Sequence, residues 1–577
     1  MGCLQDFLRN PRKKLLIQNL VYLRHLLVVD PTFRQAKSSA LYLNLIHKLY
    51  LNWIFVKVGC NINSCIIATQ QYVVSPMQIH HLGISTILIF ALVITGQAQN
   101  VIHPKVGTVT WSSDSSITLR LAHKIQRFDW QHQNTLDKDI NSPKSVNFHP
   151  NGKKFYVNSL EGCATIAYET GTWRKIKVIR HQILPEHRNL WTKPCGMFPF
   201  RHYSPDSMDV NKFSGKPVES VFSHNGRYIW VPYYRRTFDL NAQDPSALAV
   251  IDTELDTIIR LMETGPLPKM IACSHDGKHI AVTHWGDNTV AVINAENDNP
   301  MDWHYEKLYV VDYQLQLNFG LKVSVNRDVN SGYCLRGTVF TPDDQYLLVG
   351  CMGGSGGVAV IDMQRQEYLG RVLGMRSNTR HLIIQDGWLY LSCNSDGIVQ
   401  RIKLERFLGV LPEMKDKKVS VNGWEECAVF KGARTIVASP NGRYVFAACN
   451  TGSRLCIVDA KTMKMIGSAE VDSYPVGLDI SPDGFFLITT SQGRSNQGGN
   501  AVDIFHVDYA QTEESIPILQ EKNLPSDTLA SPQLKANLNK SKFFNLTFWL
   551  VLSFSCFISL TVWMAGIPKS KTLTKRQ

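Results

Sequence analysis

The sequence predicts an all-β protein that folds as a seven-bladed β-propeller. A short phrase occurs seven times in the 577 residues: Pro, His or another polar residue, then Asn or Asp, then usually Gly, then alternating apolar residues. A second strand ending in a pair such as Ile-Asp follows most copies. One strand–turn–strand unit cannot bury its own apolar face, so repeated units must stack on one another, and units of this kind close radially into a propeller.

The seven copies share a turn and a following strand. They span residues 148–157, 222–231, 273–282, 340–349, 384–391, 438–447 and 480–489. The turn residue is Gly in six copies and Asp344 in the fourth, and successive turn residues are 42 to 74 positions apart. The shortest spacing fits a four-stranded blade, so the longer ones predict loop insertions. The Asn-Gly and Asp-Gly pairs predict tight hairpin turns with positive φ at both central residues.

The later strands of each unit complete the pattern. Phrases such as AVID at 249–252 and VAVID at 358–362 are typical second strands, and a further strand with a Gly follows. With these phrases, the chain from about 105 to 509 resembles the YVTN-repeat β-propellers. That resemblance implies a seven-bladed extracytoplasmic propeller. It implies little about function, because propellers carry many unrelated activities.

The charge of the chain is concentrated at its ends. The formal net charge is +13, of which residues 1–76 contribute +7 and the last ten residues +4. The remaining +2 belongs to the segment that holds the predicted propeller. A nearly neutral domain lacks the broad positive field of a non-specific nucleic-acid binder, so nucleic acid is not expected as a partner.

The N-terminal region predicts export. The eleven residues 84–94 are apolar, which suits a signal-peptide core and is too short to cross a bilayer. Small residues at Gly96 and Ala98 predict cleavage before Gln99. We therefore predict a signal peptide at 77–98 with Met77 as the start of translation, so that residues 1–76 are not translated. The alternative is a genuine leader or cytoplasmic segment with a membrane-associated stretch at 41–58.

The C-terminal region predicts a membrane anchor. Residues 543–567 contain no charged side chain and are long enough for a transmembrane helix. The basic tail 568–577 should remain cytoplasmic under the positive-inside rule. Residues 511–542 are polar with three prolines, which suits a flexible tether. These segments predict a propeller at 99–510 that is anchored in the cell envelope outside the cytoplasm, in a periplasm or extracellularly.

Basic residues recur at a constant offset in the repeats. Eight positions before the turn residue stand Lys144, Val218, Lys269, Arg336, Thr379, Arg434 and Val476, and Arg380 follows Thr379. A constant offset predicts side chains that point the same way, into the central channel of the propeller. Cations at one mouth of the channel would attract an anionic ligand. The alternative is that these residues are merely solvated.

Loop residues on the same face extend the candidate ligand-binding set. The insertion at 232–246 brings Arg235 and Arg236, and the short turn at 284–288 brings His284, Trp285 and Asp287. Loops on a rigid scaffold commonly carry binding residues. The spacing of His275 and His279 resembles a metal motif, but it straddles a hairpin turn, so no metal or other cofactor is expected.

Two functional hypotheses remain from the sequence. The first is a non-enzymatic, membrane-tethered extracytoplasmic propeller that binds an anionic small molecule or a protein partner at the channel mouth. The second is an enzyme at the same face, either a hydrolase of lactonase type or a cofactor-carrying oxidoreductase. The sequence contains no Walker loop, dinucleotide fingerprint or G-x-S-x-G nucleophile elbow, and no catalytic residue is predicted.

Overall fold

The computed structural model describes residues 103–128, 135–191, 196–198, 212–319, 323–493 and 498–510. The described residues form seven β-sheets, and the innermost strands of successive sheets contact one another. This confirms the all-β, seven-bladed propeller. The predicted segments 1–98, 511–542, 543–567 and 568–577 lie outside the described residues. Among the residues that are described, none forms a helix with the length and apolar character needed to cross a membrane.

The first described strands precede blade 1. They are β1 (Val109–Trp111), β2 (Ile117–Gln126) and β3 (Thr135–Leu136). Blade 1 consists of β4 (Pro143–Phe148), β5 (Lys154–Ser159), β6 (Ala164–Glu169) and β7 (Lys175–Arg180). Blade 2 consists of β8 (Gln182–Ile183), β9 (Phe213–Pro217), β10 (Val221–Ser223), β11 (Tyr228–Arg236), β12 (Ser246–Asp252) and β13 (Thr257–Thr264). In blade 2 the innermost strand is split, because β9 and β10 both pair with β11.

The next two blades follow the simple pattern. Blade 3 consists of β14 (Pro268–Cys273), β15 (His279–His284), β16 (Thr289–Asn294) and β17 (His304–Val310). Blade 4 consists of β18 (Leu335–Phe340), β19 (Tyr346–Cys351), β20 (Val358–Asp362) and β21 (Glu367–Leu373). Short 3-10 helices occur at Pro185–Leu190, His224–Gly226, Pro300–Asp302 and Leu411–Glu413.

In blade 5 the chain leaves the sheet before its last strand and pairs with blade 4. Its first strands are β22 (Thr379–Gln385), β23 (Trp388–Cys393) and β24 (Ile398–Lys403), followed by the helix α1 (Leu404–Gly409). The chain then returns to blade 4 as β25 (Lys418–Ser420), which pairs in parallel with β21, before β26 (Glu425–Ala428) completes blade 5.

The last two blades bring the chain back to its start. Blade 6 consists of β27 (Ala433–Ala438), β28 (Tyr444–Cys449), β29 (Arg454–Asp459) and β30 (Lys464–Glu470). Blade 7 begins with β31 (Pro475–Ile480), β32 (Phe486–Ser491) and β33 (Ala501–Tyr509). Its fourth strand is β2, which pairs with β33 from Ile117–Tyr509 to Gln126–Ala501. The ring therefore closes by joining the two ends of the domain in one sheet.

The apolar core lies between neighbouring blades. Each of the seven junctions has its own cluster of buried residues, as expected when alternating strand residues face the adjacent sheets. Cys351, Cys449 and Cys456 belong to these clusters and pack there as small apolar residues. The eight cysteines in the described ranges form no disulfide with one another.

In the hairpin turns of blades 2 and 5 the Asn-Gly and Asp-Gly pairs have positive φ at both residues, as predicted, but the other five turns differ from the predicted type. In blade 1, Gly152 has a φ of 72° and its N–H donates to His149 O (2.8 Å), whereas Asn151 keeps an ordinary negative φ. Blades 3, 6 and 7 repeat this arrangement, and Asp344 takes the glycine position in blade 4 with a φ of 55°. The expectation of two positive φ values is wrong for these turns. Their loops are longer than two residues, and such loops need only one left-handed residue after a type I turn.

Hydrogen bonds connect two sets of loops, which therefore lie on the same face of the propeller. One set enters the innermost strands, and the other joins the second and third strands of each blade. Trp285 N donates to Leu267 O (3.1 Å), Gly353 N to Tyr333 O (2.8 Å) and Gln492 N to Tyr474 O (3.0 Å). The residues at the beginning of the innermost strands therefore lie beneath this face.

Candidate functional site

The innermost strands share a β-bulge near their beginning. The register shifts lie between Pro143 and Ser145, Pro268 and Met270, Leu335 and Thr338, Thr379 and His381, Ala433 and Thr435, and Pro475 and Gly477. A bulge leaves a residue out of the ladder and redirects its side chain. The residues at these bulges include Lys144, Lys269, Arg336, Arg380 and Arg434, whereas blade 7 has Val476.

In blade 5 the cation lies one residue after the position predicted from the aligned repeats. The bulge there holds Arg380, and Thr379 pairs with Cys393 just as Ala433 pairs with Cys449 in blade 6. The offset predicted from the turn is wrong by one in this blade because its hairpin is shorter. Gln385 already pairs with Trp388. Five blades therefore place a cation at the equivalent position.

The five cations converge on the axis of the ring. Burial is the main cause that lowers the pKa of Lys144 well below its ordinary value, and repulsion by Arg434, Arg336 and Lys269 adds to it. Burial likewise lowers the pKa of Arg380, with Arg434 and Arg336 as further causes. Side chains from five different blades can interact in this way only if they share the central channel. The structure therefore brings together these five predicted residues.

Two carboxylates offset part of the positive charge of these five side chains. Glu219 lies between β9 and β10 of blade 2, and its Oε1 is 3.3 Å from Arg336 Nη2. Burial raises the pKa of Glu219, and the surrounding cations counteract part of that effect. Asp328, which is exposed in the loop before β18, also acts electrostatically on Arg336. Neither residue is predicted by the repeat pattern, although Glu219 directly follows the aligned Val218.

Several cationic donors in the channel have no protein partner within the described ranges. The Nε atoms of Arg380 and Arg434 are buried without a hydrogen bond there. Arg434 is 4% exposed and Lys144 is 6% exposed, and no described residue forms an ion pair or hydrogen bond with the ammonium group of Lys144. Buried charged donors are costly unless something accepts their hydrogen bonds. The channel is therefore chemically suited to an anion with several acceptor oxygens.

Aromatic rings flank one side of the cation cluster. Lys269 Nζ lies 4.0 Å from the ring centre of Tyr234 and 5.1 Å from that of Trp285. The guanidinium of Arg336 is 5.9 Å from the Trp285 ring. The indole N–H donates to Arg327 O (3.1 Å), which fixes the ring. Trp285 is buried and supports two of the cations through cation–π contacts.

His284 and Asp287 serve an internal hydrogen-bond network. Gly265 N–H donates to His284 Nε2 (3.0 Å), and His284 Nδ1 is 2.8 Å from Thr289 Oγ1. The Thr289 hydroxyl donates to Asp287 (2.7 Å). Burial lowers the pKa of His284 to about 3 and raises that of Asp287 to about 6. These contacts favour a role in shaping the β15–β16 turn over direct ligand contact.

Arg235 and Arg236 hold the loop after β11. Arg235 Nη1 donates to Thr237 O (2.9 Å) and Asp239 O (3.3 Å). The Arg236 guanidinium lies 4.7 Å from the ring centre of Phe238 and is 1% exposed. Neither arginine belongs to the group of interacting channel cations, so the structure separates these two predicted residues from the other five.

The histidines near the blade 3 turn have separate partners. His275 Nδ1 is 2.9 Å from Asp344 Oδ1, and His279 Nε2 is 3.4 Å from Glu306 Oε2. Within the described residues, no three His, Cys, Asp or Glu side chains are grouped so that they could hold a metal ion.

Comparisons with known proteins assign no family to the chain. No family model matches the chain, so its resemblance to YVTN-repeat propellers is not confirmed, and no curated protein matches it. A chain of hydrazine synthase from Kuenenia stuttgartiensis is 14% identical, with a TM-score of 0.45, over 65% of this chain and 99% of that one. The β-propeller domain of Cps50 (Swd1) from Myceliophteria thermophila is 10% identical, with a TM-score of 0.42, over 63% and 96% respectively. The assignment to seven blades follows from the strand order described above.

Proposed function

We propose that this protein is a non-enzymatic binding module that takes an anionic small molecule into its axial channel. The main support is the arrangement of Lys144, Lys269, Arg336, Arg380 and Arg434 at equivalent bulges of five blades. Their mutual repulsion destabilises the empty channel, and an anion would relieve it. Because the side chains lie in a channel with little contact with bulk water, each charge interaction is less screened than on an open surface.

The cellular setting is part of the same proposal. A signal peptide at 77–98 and a transmembrane helix at 543–567 would place the channel outside the cytoplasm on a membrane-anchored chain. A soluble anion, rather than a lipid, suits such a channel because its cations lie inside a ring of blades. A protein partner that inserts an acidic side chain would use the same chemistry.

Arg434 is the most direct residue on which to test anion binding. We expect Arg434→Gln to weaken binding of phosphate or citrate at least ten-fold by isothermal titration calorimetry, because one buried guanidinium is lost from the cluster. Arg443→Gln, in the β27–β28 turn of the same blade, is the matched control and should bind normally. The experiment uses the full-length protein in detergent.

Other outcomes would change the conclusion. If neither anion binds the wild-type protein, or if both variants bind as it does, the channel is not an anion site. Hydrolysis of a sugar-acid lactone that disappears in Arg434→Gln would instead support the hydrolase hypothesis at the same position.

A further inference from the structure

Glu219 is an unusual residue for a site that attracts anions. Its carboxylate comes from blade 2, the blade that presents Val218 instead of a cation, and it lies among side chains of four other blades. The groups that act on it are Arg336, Lys144, Arg434 and Lys269. Its side chain is 15% exposed, so it belongs to the channel rather than to the outer surface.

Among the described residues, hydrogen-bond donors reach one of the two oxygens of this carboxylate. Oε1 accepts from Arg336 Nη2 at 3.3 Å, and no donor among the described residues reaches Oε2. An ionised carboxylate accepts hydrogen bonds and cannot donate them. A ligand that presented only anionic oxygens here would be repelled by Glu219, whereas one with a hydroxyl or amine could donate to it.

We infer that Glu219 determines the specificity of the channel, selecting anions that also carry a hydrogen-bond donor. This inference rests on the proposed function and adds the class of ligand: a hydroxylated or aminated anion such as a hydroxy acid. The cations would bind its negative oxygens and Glu219 would accept its O–H or N–H. A site with a buried acceptor discriminates strongly against an analogue that lacks the donor, because the acceptor then stays unpaired next to negative charge.

A pair of probes that differ by one hydroxyl tests this directly. Citrate and tricarballylate carry the same three carboxylates, and only citrate has the hydroxyl. We expect the wild-type protein to bind citrate on the order of ten-fold more tightly than tricarballylate. Glu219→Gln removes the negative charge and should strengthen tricarballylate binding, bringing the ratio of the two dissociation constants close to one.

The control replaces a carboxylate that pairs with an arginine outside the channel. Glu426 receives two hydrogen bonds from Arg376 near the surface of blade 5 (3.0 and 2.9 Å), and Glu426→Gln should preserve the wild-type ratio. Equal affinities in the wild-type protein, or a ratio that Glu219→Gln leaves unchanged, would overturn the inference.

Two further outcomes separate this inference from the proposed function. If phosphate binds but neither tricarboxylate binds the wild-type protein or Glu219→Gln, the role of Glu219 is rejected while the anion site stands. If phosphate, citrate and tricarballylate all fail to bind the wild-type protein, the proposed function itself is rejected.

Discussion

Lys144, Arg336 and Arg434 are charged side chains that the fold removes almost entirely from bulk water. Burial of like charges close together costs several kcal/mol unless opposite charge or hydrogen bonds offset it. Within the described residues the direct offset is the contact of Arg336 with Glu219. Residues whose burial opposes stability occur typically where a protein binds or reacts. This energetic imbalance is the strongest residue-level argument for a ligand.

The effect of burial on the pKa of a side chain can be tested at Asp479 without any ligand. Its Oδ2 accepts from Phe148 N–H of blade 1 (2.7 Å) and its Oδ1 from Ile480 N–H (2.9 Å). Burial nevertheless raises its pKa to about 7, from an ordinary value of 3.8. The folded state therefore holds the proton more tightly than the unfolded state, so this group's contribution to stability falls as the pH rises from about 4 to 7.

We expect Asp479→Asn to remove this pH dependence. The melting temperature of the variant, relative to wild type, should rise steadily between pH 4 and pH 8, because Asn does not titrate. Differential scanning calorimetry across this range would measure it, with Asp396→Asn in an exposed turn as the control. A difference between variant and wild type that is constant with pH would contradict the assignment.

Blades are joined to their neighbours by buried arginines as well as by apolar clusters. Arg401 of blade 5 donates to Ala460 O and Lys461 O of blade 6, and Glu425 accepts from its Nε and Nη2 at 2.9 and 2.7 Å. Arg260 of blade 2 donates in the same way to Pro300 O and Trp303 O of blade 3. These arginines thus donate to backbone carbonyls in loops of the neighbouring blade.

Replacing Arg401 should weaken the junction between blades 5 and 6. We expect Arg401→Met to lower the free energy of unfolding by about 2–4 kcal/mol, since it leaves buried carbonyls without a donor. Urea denaturation followed by tryptophan fluorescence would measure the loss. Arg406→Met, which alters an exposed arginine of α1, is the control. An unchanged midpoint for Arg401→Met would show that the junction relies on apolar contacts alone.

Closure of the whole ring depends on the pairing of β2 with β33. Lys124 of β2 stands opposite Asp503 of β33, and its Nζ is 2.5 Å from Asp472 Oδ2 and 3.9 Å from Asp503 Oδ1. His103 Nδ1 lies 2.9 Å from Asp472 Oδ1. Burial, together with Asp472, raises the pKa of Asp503 well above its ordinary value. Strand β2 thus supplies the positive charge that the buried carboxylates of Asp472 and Asp503 need.

Loss of Lys124 should open the ring at this place. We expect Lys124→Met to lower the free energy of unfolding by about 3–5 kcal/mol at pH 8, because it leaves two buried carboxylates without their cation. The loss should shrink at pH 5, where Asp503 can take up a proton, and Lys124→Met with Asp503→Asn should recover part of it. Lys105→Met, at an exposed position of the same segment, is the control. Wild-type stability of Lys124→Met at pH 8 would refute this account of closure.

The sequence by itself determined the number of blades, the position of the first hairpin in each blade, and four of the channel cations at their correct bulge positions. These features can be predicted because turn residues and period-2 alternation are local signals that occur in every repeat. Arg380 was named only as a neighbour of the aligned Thr379. The hairpin of blade 5 is two residues shorter than that of blade 6, one of them before the turn residue, so the count shifts by one.

Only the tertiary structure decided how the ring closes and what surrounds its axis. The partner of β33 is a strand almost 400 residues earlier in the chain, and no local pattern in β2 reveals that pairing. Glu219 reaches the cations because blade 2 has a split inner strand, whereas His284, Asp287 and Arg236 are buried in contact with other segments of the chain. Contacts between distant segments, rather than the composition of any one segment, decide which polar residues remain available to a ligand.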